Sequence, residues 1–245
     1  MSARPCVQLF LAHAVASCTK GAPIPECLDA DDRAHLARFR FERDRALATD
    51  SRVLQRWALV AAAGLPRDAA AQLRFERDAN GRPQVTAPAS LRHWRFSAAN
   101  TAGLVGCAVS DQVVPGLDLE PVARTLAPEL VAHCCSDDER IALDALPAAA
   151  RPAAFHALWT RKEAYLKACG LGLSLAPRRV GFVPAADGRW QVRLDGDRRA
   201  AGDREVFDVP AGEAHVAALC LPAGLAPPPP RWVRLADADT GTGTD

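Results

Sequence analysis

The chain has 245 residues, of which 49% are hydrophobic and 24% charged, and its 30 basic and 29 acidic residues leave a formal net charge of +1. This composition is typical of a folded protein with a hydrophobic core and excludes a disordered chain. The balanced charge, without a basic cluster, predicts no nucleic-acid partner. No apolar stretch reaches the ~20 residues of a membrane span, and His13 interrupts the first apolar segment, so we expect no membrane partner, no signal peptide and a cytoplasmic location.

The eight cysteines are scattered along the chain, apart from the doublet Cys134–Cys135, and none belongs to a CxxC pair. A structural zinc site needs closely spaced ligand pairs, so this spacing disfavours such a site. We expect the cysteines to be reduced and to pack as small hydrophobic side chains.

Hydrophobic periodicity predicts a strand near the start of the chain and a long helical region after it. The alternating stretch Val7–Ala12 has the period of a strand. Asp29–Asp32 supply N-cap candidates for a helical region that runs toward Ala63, with a break or bend near Phe41. Gly64–Leu65–Pro66 then ends the helix, because glycine suits the left-handed position after a helix and proline cannot continue it.

The remaining elements alternate between strands and helices. Strands are predicted at Leu73–Arg77, Trp94–Ala98, Leu104–Ser110 and Val114–Glu120, with a tight turn at Asn80–Gly81. Helices are predicted at Pro128–Cys134, Ser136–Leu146 and Arg151–Cys169, and further strands around Val180–Phe182, Trp190–Leu194, Glu205–Val209 and His215–Leu221. This order indicates an α+β fold with halves at 1–113 and 114–226, followed by a Pro-rich segment and a disordered tail at 227–245.

Two carboxylates stand out in the strand candidate Gly116–Glu120. Asp118 and Glu120 are two residues apart, so both side chains project from one face of the strand. Two adjacent carboxylates repel each other unless a cation lies between them, and oxygen ligands of this kind suit Mg²⁺ or Mn²⁺. The alternative interpretation is a solvated outer face of an edge strand.

The predicted helix Arg151–Cys169 carries charged side chains beside an apolar stripe. Lys162 falls within the stripe, where an ammonium group is unfavourable unless a partner or ligand receives it. Glu163 and Lys167 lie one turn apart on its flank. The alternative interpretation is a surface ion pair between Glu163 and Lys167, with Lys162 extending its ammonium group to solvent.

Four segments together resemble the 4′-phosphopantetheinyl transferases of the Sfp type. They are Gly81–Arg82–Pro83, Phe96–Thr101, Gly116–Glu120, and the W-x-x-K-E-A-x-x-K pattern of Trp159–Lys167. Their order and separation agree with the family from Arg33 to Phe182. The combination of G-x-D-x-E with W-x-x-K-E-A-x-x-K is highly specific, although either motif alone is weak.

The resemblance implies a holo-[acyl-carrier-protein] synthase that transfers the phosphopantetheine arm of coenzyme A to a serine of an apo acyl or peptidyl carrier protein, releasing 3′,5′-ADP. It also implies a monomer in which two similar α/β halves form a pseudo-dimer within one chain. The active site would lie in the cleft between the halves. The first half would line the adenosine and phosphates of coenzyme A, and the second would carry the metal site and the catalytic helix.

The resemblance also assigns roles to individual residues. By similarity, Asp118, Glu120 and Glu163 hold Mg²⁺, for which Mn²⁺ could substitute, against the coenzyme A pyrophosphate. Lys167, and with it Lys162, neutralises phosphate charge, and Glu163 accepts the serine proton directly or through a water molecule. The residues implied at the nucleotide end are Arg77 with the segment up to Asn80, Gly81, Arg82, Pro83, Ala99 and Asn100.

Three positions depart from the family pattern or align loosely with it. The phosphate-binding motif of the family normally carries histidine where this chain has Asn100, and a neutral amide brings no positive charge. The usual lysine of the G-K-P turn is Arg82, which keeps the charge. His35 falls where a lysine or arginine commonly contacts phosphate, but a surface histidine is the interpretation that the sequence favours there.

Two other functions compete with an active transferase. A metal-dependent phosphohydrolase would use the same Asp118–Glu120 pair but needs further histidine or aspartate ligands, and no convincing set is found. A catalytically weak or inactive module that binds coenzyme A or a carrier domain would have lost one of the four residues Asp118, Glu120, Glu163 and Lys167. All four are present, so the sequence favours the active enzyme.

Overall fold

The computed structural model describes residues 5–14, 25–79, 81–122, 125–185, 188–195 and 200–235. The chain divides into two compact units, one formed by residues up to 112 and from 230 onward, the other by residues 113–229. Each unit has a sheet with one long helix packed on it, and this mixture confirms the predicted α+β class. Within the described residues, no helix is long and apolar enough to cross a membrane.

The helices and strands are numbered along the chain. The helices are α1 (Ala30–Leu36), α2 (Glu42–Ala62), α3 (Pro128–Cys134), α4 (Asp137–Asp144) and α5 (Arg151–Cys169). The strands are β1 (Val7–His13), β2 (Arg74–Arg77), β3 (Pro83–Ala87), β4 (Arg95–Thr101), β5 (Leu104–Ser110), β6 (Gly116–Pro121), β7 (Val180–Pro184), β8 (Arg189–Leu194), β9 (Ala200–Val209), β10 (His215–Pro222) and β11 (Pro230–Trp232). Short 3₁₀ turns lie at Arg67–Gln72, Ala89–Leu91, Gly172–Ser174 and Pro177–Arg179.

The first unit is built on a four-stranded sheet in the order β11-β1-β5-β4, with the hairpin β2–β3 beside it as a separate two-stranded sheet. Helix α2 packs on β5 and β4. Its apolar side chains, among them Leu54 and Leu59, form one core with inward-facing residues of the sheet such as Phe96 and Val105. The alternation of the strands and the helical period of α2 thus place their apolar faces together.

The two helices of the first unit begin and end as the sequence predicts. The Asp29 side chain caps α1 by accepting a hydrogen bond from the Asp32 N–H at 2.9 Å. The chain then leaves the helix, and α2 begins after Phe41. Gly64, at φ +68°, follows the end of α2, where the N–H of Leu65 donates to the Val60 carbonyl at 2.8 Å. Glycine adopts this left-handed conformation at little cost because it has no Cβ atom.

The C-terminal segment contradicts the expected boundary. Residues 227–245 were predicted as a Pro-rich segment and a disordered tail, but β11 starts at Pro230 and pairs in parallel with β1. Trp232 stacks on His13 with ring centroids 4.9 Å apart, and Leu235 is buried in the core of the first unit. Residues 230–235 therefore belong to the first unit. The predicted tail Asp237–Asp245 lies outside the described residues.

The second unit is an antiparallel five-stranded sheet in the order β6-β10-β9-β8-β7. Helix α5 crosses β6 and β10, and its residues Ala164 and Leu166 pack with Val180 and Val206 of the sheet. Gly116 allows this close approach. A Cβ atom at that position would lie 1.9 Å from the Ala164 carbonyl oxygen, so only glycine fits there.

None of the seven cysteines in the described part of the chain forms a disulfide with another described residue. Burial raises the pKa of Cys134 and of Cys135 to about 11, so both thiols are protonated at neutral pH. The expectation that the cysteines are reduced stays a prediction.

Candidate active site

Strand β6 directs its two carboxylates toward α5. Asp118 contacts Lys167 and Glu120 contacts Trp159, on the same side of the strand as the Gly116 contact with the helix. Asp118 is only 7% exposed, and the alternating residues Leu117 and Leu119 are also buried. The solvated outer face considered for this strand is therefore wrong at Asp118, which lies against a helix.

Helix α5 presents a stripe of three side chains to these carboxylates. Trp159, Glu163 and Lys167 are spaced four residues apart, so they lie on one side of the helix. The Trp159 Nε1–H donates to Glu120 Oε1 at 3.1 Å. The Lys167 ammonium donates to Asp118 Oδ1 at 2.7 Å and to the Leu117 carbonyl at 3.2 Å. The Glu163 side chain lies between these two contacts along the stripe and is half-buried.

Burial raises the pKa of all three carboxylates, and neighbouring carboxylates raise the pKa of Glu120 and Glu163 further. Burial raises the pKa of Asp118, although the Lys167 ammonium opposes this shift. Burial also raises the pKa of Glu120, and the nearby Asp118 and Glu163 carboxylates raise it further. The pKa of Glu163 is raised first by burial and then by Asp118. The site therefore concentrates negative charge in a partly desolvated place, where an added cation is stabilising.

One carboxylate oxygen of this group, Asp118 Oδ2, has an unused hydrogen-bonding capacity among the described residues. Asp118 Oδ2 is buried and has no hydrogen-bond partner among the described residues, although Oδ1 is bound by Lys167. Within the same residues, no three histidine, cysteine, aspartate or glutamate side chains are grouped closely enough to hold a metal ion by themselves. Mg²⁺ commonly binds one or two carboxylates together with water and substrate phosphate oxygens, so this donor set fits a cation shared with a phosphate substrate.

Lys162 does not have the position expected of a phosphate ligand. Its side chain is fully buried, and its ammonium donates to Glu139 Oε2 at 2.6 Å, to the Cys134 carbonyl at 2.9 Å and to the Pro177 carbonyl at 3.0 Å. An ammonium group has three protons, and all three are used inside the unit. This corrects the expected phosphate contact, and it also excludes the alternative in which Lys162 reaches solvent.

The Lys162 contacts hold the shorter helices of the second unit on α5. Cys134 is the last residue of α3, so its carbonyl is one that the helix itself leaves unpaired. Glu139 belongs to a capping box at the start of α4, where its carboxylate accepts the Ser136 N–H at 2.8 Å. Lys162 thus satisfies the end of one helix and the start of the next.

In the first unit, the expected nucleotide-binding turn joins β2 to β3. Arg77 Nη1 donates to the Gly81 carbonyl at 2.5 Å, and Gly81 has a φ of +78°. The Asp78 carboxylate accepts the backbone N–H of Arg82 at 3.0 Å, which fixes the turn before Pro83. The predicted neighbour Asn80 lies outside the described residues.

The two predicted phosphate-motif residues of β4 differ in exposure. The Ala99 side chain is buried, so only its backbone could meet a ligand, whereas Asn100 is exposed. Asn100 lines a groove of about 350 Å³ together with His35 and Arg52. The structure therefore places His35, which the sequence favoured as a plain surface residue, beside a predicted binding residue.

Positive charge converges on His35. Burial lowers its pKa, and the guanidinium groups of Arg52, Arg38 and Arg77 lower it further, although Asp32 opposes them. An imidazole in this position gains a proton more readily when an anion approaches.

Two residues of the candidate sites were not predicted in these roles. Trp159 entered the sequence analysis only as the first residue of the W-x-x-K-E-A-x-x-K pattern and was given no role in the site, although an indole N–H usually finds an acceptor when it is half-buried. Arg52 carried no signal, because its proximity to Asn100 depends on the packing of α2 against β4.

Buried carboxylates beside a paired lysine suit a site that binds a phosphate ester together with a cation. Comparisons with known proteins agree. A family model described as "4'-phosphopantetheinyl transferase superfamily" matches residues 115–220, and one described as "4'-phosphopantetheinyl transferase, N-terminal" matches residues 20–112. The chain is 30% identical to 4'-phosphopantetheinyl transferase psf-1 of Bacillus pumilus over 164 residues, which cover 67% of each protein.

A second relative is 4'-phosphopantetheinyl transferase HetI of Nostoc sp., which is 30% identical over 167 residues, 67% of this chain and 69% of the relative. A solved structure named "Chronobacterium ammoniagenes ACPS-CoA complex" covers 44% of this chain and 95% of its own at 20% identity and a TM-score of 0.33, too low a similarity for a structural argument. The chain belongs to the 4′-phosphopantetheinyl transferase superfamily.

Proposed function

We propose that the protein transfers the 4′-phosphopantetheine arm of coenzyme A to a serine of an apo acyl or peptidyl carrier protein and releases 3′,5′-ADP. The observation that carries this proposal is the buried Asp118, whose Oδ1 accepts a hydrogen bond from Lys167 and whose Oδ2 has no hydrogen-bond partner among the described residues, near enough to Glu120 and Glu163 to raise the pKa of both. The named relatives are 4′-phosphopantetheinyl transferases, which supports the same activity here.

The carboxylates would hold a divalent cation, Mg²⁺ or Mn²⁺. Asp118 and Glu120 supply oxygen donors from β6, and Glu163 supplies another from α5. When bound, the cation neutralises charge on the pyrophosphate of coenzyme A and holds the reacting phosphorus in place. Trp159 binds one oxygen of Glu120 and so orients that carboxylate for its role.

Lys167 would bind the charge that develops on the transferred phosphoryl group. Its side chain is one-third exposed, so the ammonium borders the carboxylate group and also meets solvent. The ion pair with Asp118 keeps the ammonium in this place before substrate binds. A cation that is already positioned stabilises the transition state without reorganising at the moment of reaction.

Glu163 would act as the general base. The serine oxygen of the carrier attacks the phosphorus that bears the pantetheine arm, a new P–O bond forms, and the bond to 3′,5′-ADP breaks. The serine proton passes to the Glu163 carboxylate, directly or through one water molecule. Burial and the Asp118 charge raise the pKa of Glu163, and a base whose pKa lies closer to neutral pH accepts a proton more effectively.

The first unit would bind the nucleotide part of coenzyme A. The β2–β3 turn presents Arg77 and Arg82 on a backbone fixed by Asp78, and Asn100 lies on the groove that also contains His35. Arginine and amide groups suit phosphate oxygens and the edges of an adenine ring.

The test is to incubate the protein with coenzyme A, Mg²⁺ and a panel of apo acyl and peptidyl carrier proteins, and to weigh the carriers by mass spectrometry. We expect at least one carrier to gain one phosphopantetheine on a single serine, and we expect EDTA to prevent this gain until Mg²⁺ is restored. A protein that binds coenzyme A but modifies no carrier would instead be the inactive binding module.

A further inference from the structure

We propose that Cys169 and Cys220 are a redox pair, and that a disulfide between them lowers the activity of the site by moving the last turn of α5. Cys169 is the last residue of α5, and Cys220 lies in β10 of the same unit. Neither residue belongs to the proposed metal site or to the proposed coenzyme A contacts. The bond itself is independent of the proposed function, whereas its effect on carrier loading rests on that function.

The first argument is the direction of Cys220. Strand β10 pairs with β6 in an antiparallel register that places Cys220 opposite Gly116. Residues directly opposite each other share one face of the sheet, with Cβ atoms about 5 Å apart. A Cβ atom at Gly116 would lie 2.8 Å from the Cβ atom of Ala168, and Ala168 and Cys220 are buried in one hydrophobic cluster. Cys220 therefore points toward the turn of α5 that ends with Cys169.

The second argument is the surroundings of Cys169. Its side chain packs against the hydrophobic cluster that contains Cys220. Tyr165, one helical turn earlier, is hydrogen-bonded to the Cys169 side chain. Burial raises the pKa of Tyr165, and the thiols of Cys169 and Cys220 raise it further. Both sulfur atoms are therefore close to the same hydroxyl group.

The doublet Cys134–Cys135 in the same unit does not offer an equivalent bond. Consecutive Cα atoms are about 3.8 Å apart, whereas the Cα atoms joined by an unstrained disulfide are about 4.4–6.8 Å apart. Both thiols of the doublet are also buried. The doublet is therefore an internal comparison for the oxidation of the proposed pair.

The two thiols of the pair differ in access. Cys169 is partly exposed, whereas Cys220 is fully buried. Burial raises the pKa of Cys220 to about 12 against the opposing effect of Arg204, so this thiol is protonated at neutral pH. Because the thiolate is the reactive form and Cys220 is out of contact with solvent, an oxidant reacts first with Cys169.

The oxidant is a peroxide, here hydrogen peroxide. The Cys169 sulfur takes one oxygen atom from it, the S–H group becomes S–OH, and the first water molecule leaves. The Cys220 sulfur then attacks the Cys169 sulfur. The S–S bond forms, the S–OH bond breaks, and the hydroxide leaves with the Cys220 proton as the second water molecule. A dithiol reductant reverses the bond by thiol–disulfide exchange.

The bond would act on the site through Lys167. Non-bonded heavy atoms pack about 3.5–4.0 Å apart, whereas the sulfur atoms of a disulfide are about 2.05 Å apart, so bond formation draws the end of α5 toward β10 by about 1.5 Å. Lys167 lies two residues before Cys169, and its ammonium donates to Asp118 Oδ1 at 2.7 Å. A displacement of about 1 Å at such a group is enough to lower turnover by about 100-fold.

The experiment treats the reduced wild type, Cys169→Ser, Cys220→Ser and Cys6→Ser with hydrogen peroxide, removes the excess with catalase and blocks the remaining thiols with iodoacetamide. Mass spectrometry of unreduced peptides identifies the linked cysteines. Carrier loading is measured before oxidation, after it, and after addition of dithiothreitol. Cys6 is the matched control, because it is an exposed thiol of the other unit.

We expect a peptide in which Cys169 and Cys220 are linked, and turnover at least tenfold lower in the oxidised wild type and restored by dithiothreitol. Cys6→Ser should behave as the wild type. Reduced Cys169→Ser and Cys220→Ser should load the carrier at the wild-type rate and lose little of it in peroxide. Thermal unfolding shows whether each variant folds, and if the buried substitution Cys220→Ser does not fold, the partly exposed Cys169→Ser decides.

Absence of the Cys169–Cys220 link would overturn the inference. A link with unchanged turnover, or an equal loss of turnover in Cys169→Ser, would also overturn it. Failure of the proposed function has a different signature, because the reduced wild type would then load no carrier. In that case the linked peptide together with altered amide hydrogen exchange at the end of α5 would retain the redox pair, and the absence of either would overturn it.

Discussion

Replacing Gly116 with alanine should lower the activity of the site by moving α5 away from β6, without changing any polar side chain of the site. The added Cβ would lie 1.9 Å from the Ala164 carbonyl oxygen, 2.6 Å from the Ala168 nitrogen and 2.8 Å from the Ala168 Cβ. The first two are backbone atoms of α5, so no side-chain rotation relieves the contact. An ordinary C···O contact is about 3.3 Å, so the helix must move from β6 by about 1.4 Å.

Such a shift acts directly on the contacts between α5 and β6. The Lys167–Asp118 bond of 2.7 Å and the Trp159–Glu120 bond of 3.1 Å both span this interface. Lengthened by about 1 Å, neither remains a hydrogen bond. We expect turnover to fall about 100-fold, as is typical of a 1 Å misplacement of catalytic groups, and the free energy of unfolding to fall by about 1–3 kcal/mol from overpacking.

The assay is carrier loading under saturating coenzyme A, together with urea unfolding. Gly181→Ala on β7 is the control, since a Cβ at Gly181 would meet no atom within 4 Å and the backbone there is not left-handed. We expect that variant to match the wild type in both measurements. If Gly116→Ala has the turnover and the stability of the wild type, close packing of α5 on β6 does not determine the geometry of the site.

Three further predictions concern other parts of the chain. Lys162→Met should lower the free energy of unfolding by about 3–5 kcal/mol, because it removes the ammonium that pairs with Glu139 and takes the Lys162 donor from the Cys134 and Pro177 carbonyls. A higher KM for coenzyme A at unchanged stability would instead support a phosphate contact for Lys162. Leu235→Ala should cost about 2–4 kcal/mol in urea unfolding, against little for the exposed Leu65→Ala, and equal effects would contradict the docking of the C-terminal segment. The His35 imidazole should titrate by NMR below its ordinary pKa of 6.5. Its folded-state pKa is lowered, so its contribution to stability is complete above pH 6.5 and is lost as the pH falls through the folded value. Binding of coenzyme A should raise the pKa of His35. If the pKa does not change on binding, the phosphate lies elsewhere.

Local patterns account for the parts of the fold that the sequence predicts well. The bounds of α3 and α5 agree with the prediction, because each has a proline in its first turn and a consistent helical period. The pair Asp118 and Glu120 faces one side of β6 because successive side chains of a strand alternate. In each of these cases the determining residues are neighbours in the sequence.

The missed features depend on contacts between distant segments. Strand β11 forms only because residues 230–232 meet the edge of β1, more than 200 positions earlier, and no periodicity within three residues shows this. The position of Lys162 in an apolar stripe indicated that its ammonium needs a partner or ligand, but its acceptors belong to α3, α4 and the turn at Pro177. The sequence could therefore show that the ammonium needs a partner without showing that the partner is internal rather than a phosphate.

The proposed transfer of phosphopantetheine from coenzyme A to a carrier serine depends on Glu163, together with Asp118, Glu120 and Lys167. The most direct test measures holo-carrier by mass spectrometry and 3′,5′-ADP by chromatography in the same reaction, for the wild type and for Glu163→Gln. We expect equal amounts of both products from the wild type, and from Glu163→Gln a loss of 100-fold or more with coenzyme A still bound. Wild-type rates in Glu163→Gln, or 3′,5′-ADP formed without holo-carrier, would contradict it.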